Sequence, residues 1–171
     1  SVVNAVFSGA AGATVTKTLA GSGSASSVTL TAADVGVLGQ GPVNVGVAAT
    51  DAAGNVKFSG QGGGFLLDTL NPALNVILVG DANKTSAEAL SSQGVLAVGA
   101  EINSAISVTL TGTLGVVSRT LTGTGTAQSI VLTQGDLTTL GDGAVAVRVT
   151  AADAAGNVTT STTGGFNLDT A

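Results

Sequence analysis

The sequence predicts an all-β chain of antiparallel sandwiches, and three observations carry that expectation. Apolar and polar residues alternate with period two, turn-forming residues recur every 8 to 12 positions, and the chain repeats itself. At an offset of about 102 residues, Val43 to Val56 falls on Val145 to Val158, both reading into Asp-Ala-Ala-Gly-Asn-Val. Thr18 to Gly23 likewise meets Thr120 to Gly125, Val28 to Thr31 meets Ile130 to Thr133, and Phe65 to Thr69 meets Phe166 to Thr170 after a one-residue slip. The 171 residues therefore hold two units, 1–69 and 70–171. The second is complete. The first has no counterpart of residues 70–103 and is expected to expose strand edges and apolar faces.

Seven strands are expected in the complete unit, near 73–79, 94–99, 104–112, 116–123, 128–133, 143–152 and 157–168. Ile106, Val108 and Leu110 alternate with Ser107, Thr109 and Thr111, and Val145, Val147 and Val149 with Ala146, Arg148 and Thr150. Each such strand buries one face. Gly112 to Gly115, Gly123 to Thr126, Gly141 to Gly143 and Asp153 to Asn157 supply the turns. Thr85 three residues before Glu88 has the spacing of a capping box, and Thr133 to Leu137 reads as a tight helical turn. Seven short strands in about 100 residues fit a Greek-key sandwich of immunoglobulin type, without the disulfide and core Trp of antibody domains. Lys17 and Arg119 hold matching places in apolar rows and are expected to lay their stems on the sheet and reach solvent.

Composition removes most chemistries. There is no His, Cys, Met, Trp or Tyr, so Ser-His-Asp triads, Cys nucleophiles and the usual zinc and haem sites are excluded. A carboxylate pair of the glycosidase kind would want aromatic platforms for sugar, and only four Phe are present. The reading is non-catalytic. A net charge of −5 without clustered Lys or Arg argues against nucleic acid and anionic membrane surfaces. Mean hydropathy is +0.54, yet no apolar run approaches the ~18 to 20 residues of a spanning helix, and four Phe cannot build the girdles of a membrane barrel. No signal peptide opens the chain, so Ser1 reads as the start of a fragment or mature segment.

Ten carboxylates and many hydroxyls favour hard cations. Threading the strands alternately up and down gathers Asp68, Asn71, the Glu101 to Asn103 turn, the Gly123 to Ala127 loop, Asp153 and Asn157 at one pole of the second unit. Crowded carboxylates repel unless a cation joins them, which predicts calcium at the domain junction through Asp68, Glu101, Asp153 and Asn157. The competing reading of the Asp153 loop is an ordinary turn, its carboxylate bonding nearby amides. Asp81, Glu88, Asp136, Asp142 and Asp169 fall at the opposite pole, Asp81 and Glu88 as turn and helix cap.

The strand ending Val149-Thr150-Ala151-Ala152-Asp153-Ala154-Ala155-Gly156-Asn157, the linker Leu67-Asp68-Thr69-Leu70-Asn71-Pro72, the Asp81-Ala82-Asn83 turn before Ser86-Ala87-Glu88-Ala89, and Gly99-Ala100-Glu101 together resemble the bacterial immunoglobulin-like repeats of giant surface adhesins. Leu70-Asn71 departs from the Thr-Ala more usual in such linkers. The resemblance implies an extender or stalk module, secreted to the cell surface and often rigidified by calcium. Its partners would be neighbouring repeats of the same polypeptide or adjacent subunits, and a host or biofilm surface ligand. The alternative is an adhesive module that binds glycan or protein through its loops.

Overall fold

The computed structural model describes residues 1–161 and 164–170, so residues 162 and 163 of the last expected strand lie outside the described residues. The chain forms two compact units, Ser1–Leu70 and Asn71–Ala171.

The second unit is a sandwich of two sheets. One holds β5 (Leu74–Leu78), β7 (Leu96–Ala100) and β10 (Ala127–Ile130) in the order β10-β7-β5. The other runs β6 (Asn83–Thr85), β13 (Phe166–Asp169), β11 (Gly143–Ala152), β8 (Ala105–Thr111), β9 (Val116–Thr122), with β12 (Val158–Ser161) also on β11. Pairing is antiparallel except for β6, which lies parallel to β13. Register decides what is buried: Val149 stands opposite Val108 and Val147 opposite Leu110, so one row of each strand points into the sandwich. Those residues meet Leu96, Val98 and Ile130 of the facing sheet in a single core. Two short helices close it, α2 (Ser86–Ala89) and α3 (Gln134–Leu140), the latter burying Leu137 and Leu140.

The first unit has a single sheet in the order β2-β1-β3-β4, built from β1 (Val2–Ser8), β2 (Thr14–Ala20), β3 (Gly41–Thr50) and β4 (Val56–Leu67), with one helix, α1 (Ala32–Leu38). It reproduces β8, β9, β11, β12 with β13, and α3. Val2 pairs Thr50 as Ala105 pairs Ala152, and Val15 pairs Phe7 as Val117 pairs Leu110. Nothing in this unit corresponds to β5, β6 or β7. Its buried apolar residues reduce to Ala5, Phe7, Val15, Leu38 and Val43. The segment at Val28, aligned with β10, forms no strand, because the partner that β10 finds in β7 has no counterpart here.

Three expectations are corrected. Lys17 and Arg119 do not simply reach solvent: Lys17 pairs with Asp34 at 2.6 Å and Arg119 with Asp136 at 2.5 Å. Both stand on the inner face, Lys17 opposite Ala5 and Arg119 opposite Val108, where a lone charge would lose hydration, so each bends to a carboxylate on the covering helix. The turn at Thr133 extends to the seven residues of α3, because Leu137 and Leu140 bury against the sheet. Residues 83–85 form an additional strand, too short to show a period of two in sequence.

The three helices share one device. Thr31, Thr85 and Thr133 accept from the amide three residues on, while Asp34, Glu88 and Asp136 accept from the Thr backbone in return. Asp136 Oδ2 receives Thr133 N, Thr133 Oγ1 and Arg119 Nη2 at 2.7, 2.8 and 2.5 Å, and is buried. Strand, cap and helix are thus joined at one oxygen. Gly112 ends β8 directly under the last turn of α3, where a Cβ would lie 2.3 Å from the Leu140 carbonyl oxygen. Gly9 stands 2.2 Å from Leu38 O by the same measure. Neither position has room for a side chain.

Replacing Asp136 by Ala removes the return bond of the cap and strands a guanidinium beside the core. It is expected to lower the stability of the second unit by about 1 to 2 kcal/mol, read by denaturant-dependent hydrogen exchange of β8 and β9 amides. Leu96→Ala, at a fully buried position, should cost about 2 to 5 kcal/mol in the same measurement. A variant as stable as the parent in either case contradicts the packing described.

Candidate functional site

The carboxylates named as candidate calcium ligands lie in loops whose geometry is fixed by the strands they join. Pairing of Ala105 with Ala152 puts the Asp153 to Asn157 loop at the same end of the second unit as the Glu101 turn. That turn is tied to the Gly123 loop, Asn103 N donating to Gly123 O at 2.8 Å and Gly123 N to Ser104 O at 2.8 Å. Glu101 is exposed, and Asn103 takes a left-handed φ of 65° that Asn tolerates. The Glu101 turn, the Gly123 loop and the Asp153 loop therefore share a pole.

Sharing a pole does not make a ligand cage. Asp153 Oδ1 accepts from Asn157 N at 2.9 Å and Oδ2 from Asn157 Nδ2 at 2.8 Å. In the first unit Asp51 makes the same two bonds to Asn55, and Oδ1 also takes Ala53 N. The Asn157 side-chain amide, ahead of the other hydrogen bonds, holds the Asp153 carboxyl below its usual range, and Asn55 does the same for Asp51. Asp68 Oδ1 accepts from Gln40 Nε2 at 2.9 Å and Leu70 N at 3.1 Å. Among the described residues no three acidic groups gather as a metal site. The oxygen donors suit calcium by type, but each Asp loop already satisfies its own carboxylate.

At the opposite pole Asp81 and Glu88 act as turn and cap. Asp81 Oδ1 accepts from Asn83 N at 3.0 Å, and Glu88 closes the box on Thr85. Beneath them Lys84 is 3% exposed and gives its ammonium to Val79 O at 2.5 Å. Sequence reading missed two latches on the outgoing strands. Asp142 Oδ1 accepts both Thr170 N and Thr170 Oγ1 at 2.8 and 2.5 Å, and Gln40 Oε1 accepts Thr69 N and Thr69 Oγ1 at 2.7 and 3.1 Å. The repeated Leu-Asp-Thr was the available signal, since it places a Thr after the last strand in both copies.

The inner face of the first unit differs from that of the second. Val3, Ala5, Leu19, Val28 and Val47, together with Ser1 and the Ser- and Gly-rich stretch 21–26, line a cavity of about 340 Å³. Their counterparts Ile106, Val108, Ile130 and Val149 are at most 3% exposed, because β7 lies over them, and Leu121 packs against the same core.

No family model matches the chain, and no curated protein matches it. Solved structures do match. The likeness is to adhesin repeats. One is a tetra-tandem repeat in the extending region of a large adhesion protein, 22% identical, with a TM-score of 0.47 over 98% of this chain and 42% of that one. A second is from a 1.5-MDa bacterial ice-binding adhesin studied for its retention at the host cell surface, 19% identical, TM-score 0.49, over 100% and 54%. A third is a Ca²⁺-stabilized adhesin that helps an Antarctic bacterium reach out and bind ice, 23% identical, TM-score 0.47, over 99% and 40%. The chain thus spans about half, or less, of the solved chains it matches.

Asp34 makes a pH-dependent contribution. The Lys17 ammonium first, then the Thr31 amide and hydroxyl, lower its carboxyl from 3.8 to about 2. A carboxyl whose folded value lies below its unfolded value contributes stability that is complete above 3.8 and disappears as pH falls toward 2. Acid titration of the first unit's amide exchange should show that loss, and Asp34→Asn should flatten it. An unchanged profile in the variant would contradict the assignment.

Proposed function

We propose that the chain is a structural extender module of a bacterial cell-surface adhesin or surface filament, non-catalytic and displayed outside the cell. The observation that carries this reading is duplication with conserved internal wiring. One chain holds the same hairpin, capped helix and long strand twice, down to the ion pair between strand and cap and the Asp-to-Asn loop. Tandem copies of one module build length, which is the physical task of a stalk. The carboxylates fit the non-catalytic part, since Asp34, Asp51, Asp136 and Asp153 are engaged by the amides of their own caps and loops. For Asp136, burial pushes the carboxyl up, but the Thr133 and Arg119 hydrogen bonds outweigh it.

A spacer should be silent in binding assays. The 171-residue chain, presented to glycan arrays and to cell surfaces, is expected to give no saturable binding. Saturable binding that competes with free ligand would replace this reading with that of an adhesive module acting through its loops.

Calcium is the finer part of the proposal, with Asp68, Glu101, Asp153 and Asn157 as candidate oxygen ligands. Their hard-oxygen chemistry supports it. A cation at Asp153 would have to displace the Asn157 amide, which puts affinity at the weak extracellular end, with a dissociation constant of about 10⁻⁴ to 10⁻³ M. At ten to a hundred times that concentration, stabilisation should be roughly 1 to 3 kcal/mol. Calorimetric titration should show heat in the parent and a loss of it in Asp153→Ala. No heat in the parent, or undiminished heat in the variant, would falsify the ligand set.

A further inference from the structure

We infer that Lys17 and Arg119 guard two long, straight sheet edges, β2 and β9, against pairing with a copy of the same edge on another module. Each unit has one such edge, β2 pairing with β1 alone and β9 with β8 alone among the described residues. A free edge presents unpaired amides and carbonyls that invite another strand.

The usual devices that blunt an edge are missing from these two. Both strands run seven residues, Thr14–Ala20 and Val116–Thr122, without Pro or Gly, and their registers with β1 and β8 are unbroken from end to end. No bulge turns either edge away. Four of the seven residues in each are Val or Thr, which favours extended pairing. The other free edges are short or bent: β5 has five residues, β10 and β12 four, β6 three, and β4 shifts register twice against β3.

Each long straight edge instead carries one charge, at the same place. Lys17 is the fourth of seven residues in β2 and Arg119 the fourth of seven in β9, both on the inner face. Their side chains are 28% and 37% exposed, and each is held to a helix-cap carboxylate. Arg119 gives a second N–H to Ser118 O, which leaves its remaining donors to water. A strand added alongside would bring its own inner row over these groups and remove that water, burying donors without acceptors. The central position adds a second penalty. Two copies of β9 laid antiparallel in full overlap put Arg119 opposite Arg119, two copies of β2 put Lys17 opposite Lys17, and β2 on β9 puts Lys17 opposite Arg119. Every full-overlap pairing of these edges thus opposes two cations. Duplication makes the guard necessary, because tandem modules hold their edges at effective concentrations on the order of millimolar. The inference goes beyond the extender reading and needs only that the module is repeated.

The test is the 171-residue chain carrying Arg119→Leu with Asp136→Asn, a pair that leaves the net charge at −5, removes the inward cation and keeps an oxygen for the Thr133 cap. Sedimentation velocity and hydrogen exchange are followed from micromolar to millimolar protein. The double variant is expected to associate, with amides of 116–122 slowed about tenfold or more in the associated form and those of 143–149 unchanged. The parent and Arg119→Lys, which keeps the inward charge, should show no concentration dependence at 116–122. Lys17→Leu with Asp34→Asn repeats the test at 14–20 and decides the matter where α3 fails to form in the first variant. Exchange at these edges that does not change with concentration in the folded variants overturns the proposal, as does association that leaves the edge amides unprotected. Concentration-dependent protection of 116–122 in the parent also overturns it and makes the edge a working interface.

Discussion

A β-sheet whose apolar side chains all point the same way cannot stay one layer thick in water, and the architecture follows from how each unit meets that constraint. Strand alternation at period two concentrates Val, Leu, Ile and Phe on one side, and burying that side is the main favourable term available to a chain with so few aromatic residues. In the second unit β5, β7 and β10 lie across Ile106, Val108, Val147 and Val149, and nineteen residues join one core. In the first unit a short helix and the strandless segment at Val28 and Leu30 cover part of the face. The same sequence pattern therefore gives a closed sandwich in one place and a half-open one in the other.

Polar groups on the covered side obey the same constraint from the opposite direction. Arg119 and Lys17 occupy apolar rows and give up part of their hydration there. Each is placed so that its partner is the carboxylate that also caps the overlying helix. One oxygen then serves the helix terminus, the threonine hydroxyl and the cation, so helix position and strand position are fixed together. Small helices of seven residues have little stability of their own. They persist because their termini are satisfied and their leucines are buried.

Much of this could be read from the sequence, and the omissions have physical causes. Period two located most strands of the second unit because each buries one face, although the strand expected over 157–168 is two, β12 and β13, and the Thr-x-x-Glu spacing located α2. The offset near 102 showed which strands the first unit would repeat. The partners of Lys17 and Arg119 were invisible, because an ion pair between a strand and a helix fifteen or more residues away leaves no local pattern. β6 was missed since three residues carry no period, and α3 was read short because its Gly and Thr are weak helix formers stabilised by packing. For the Asp153 loop, both the metal reading and the turn reading were open in the sequence. The geometry shows the turn bonds, formed identically at Asp51.

The two copies differ in length at one hairpin and within one strand. The hairpin after β1 is one residue longer than the hairpin after β8, and a second slip lies between Asn55 and Phe65 inside β4, where the pairing with β3 shifts register. Genetic exchange between the copies across β2 to β3, where the alignment holds, would excise or insert about 102 residues, the length of one repeat.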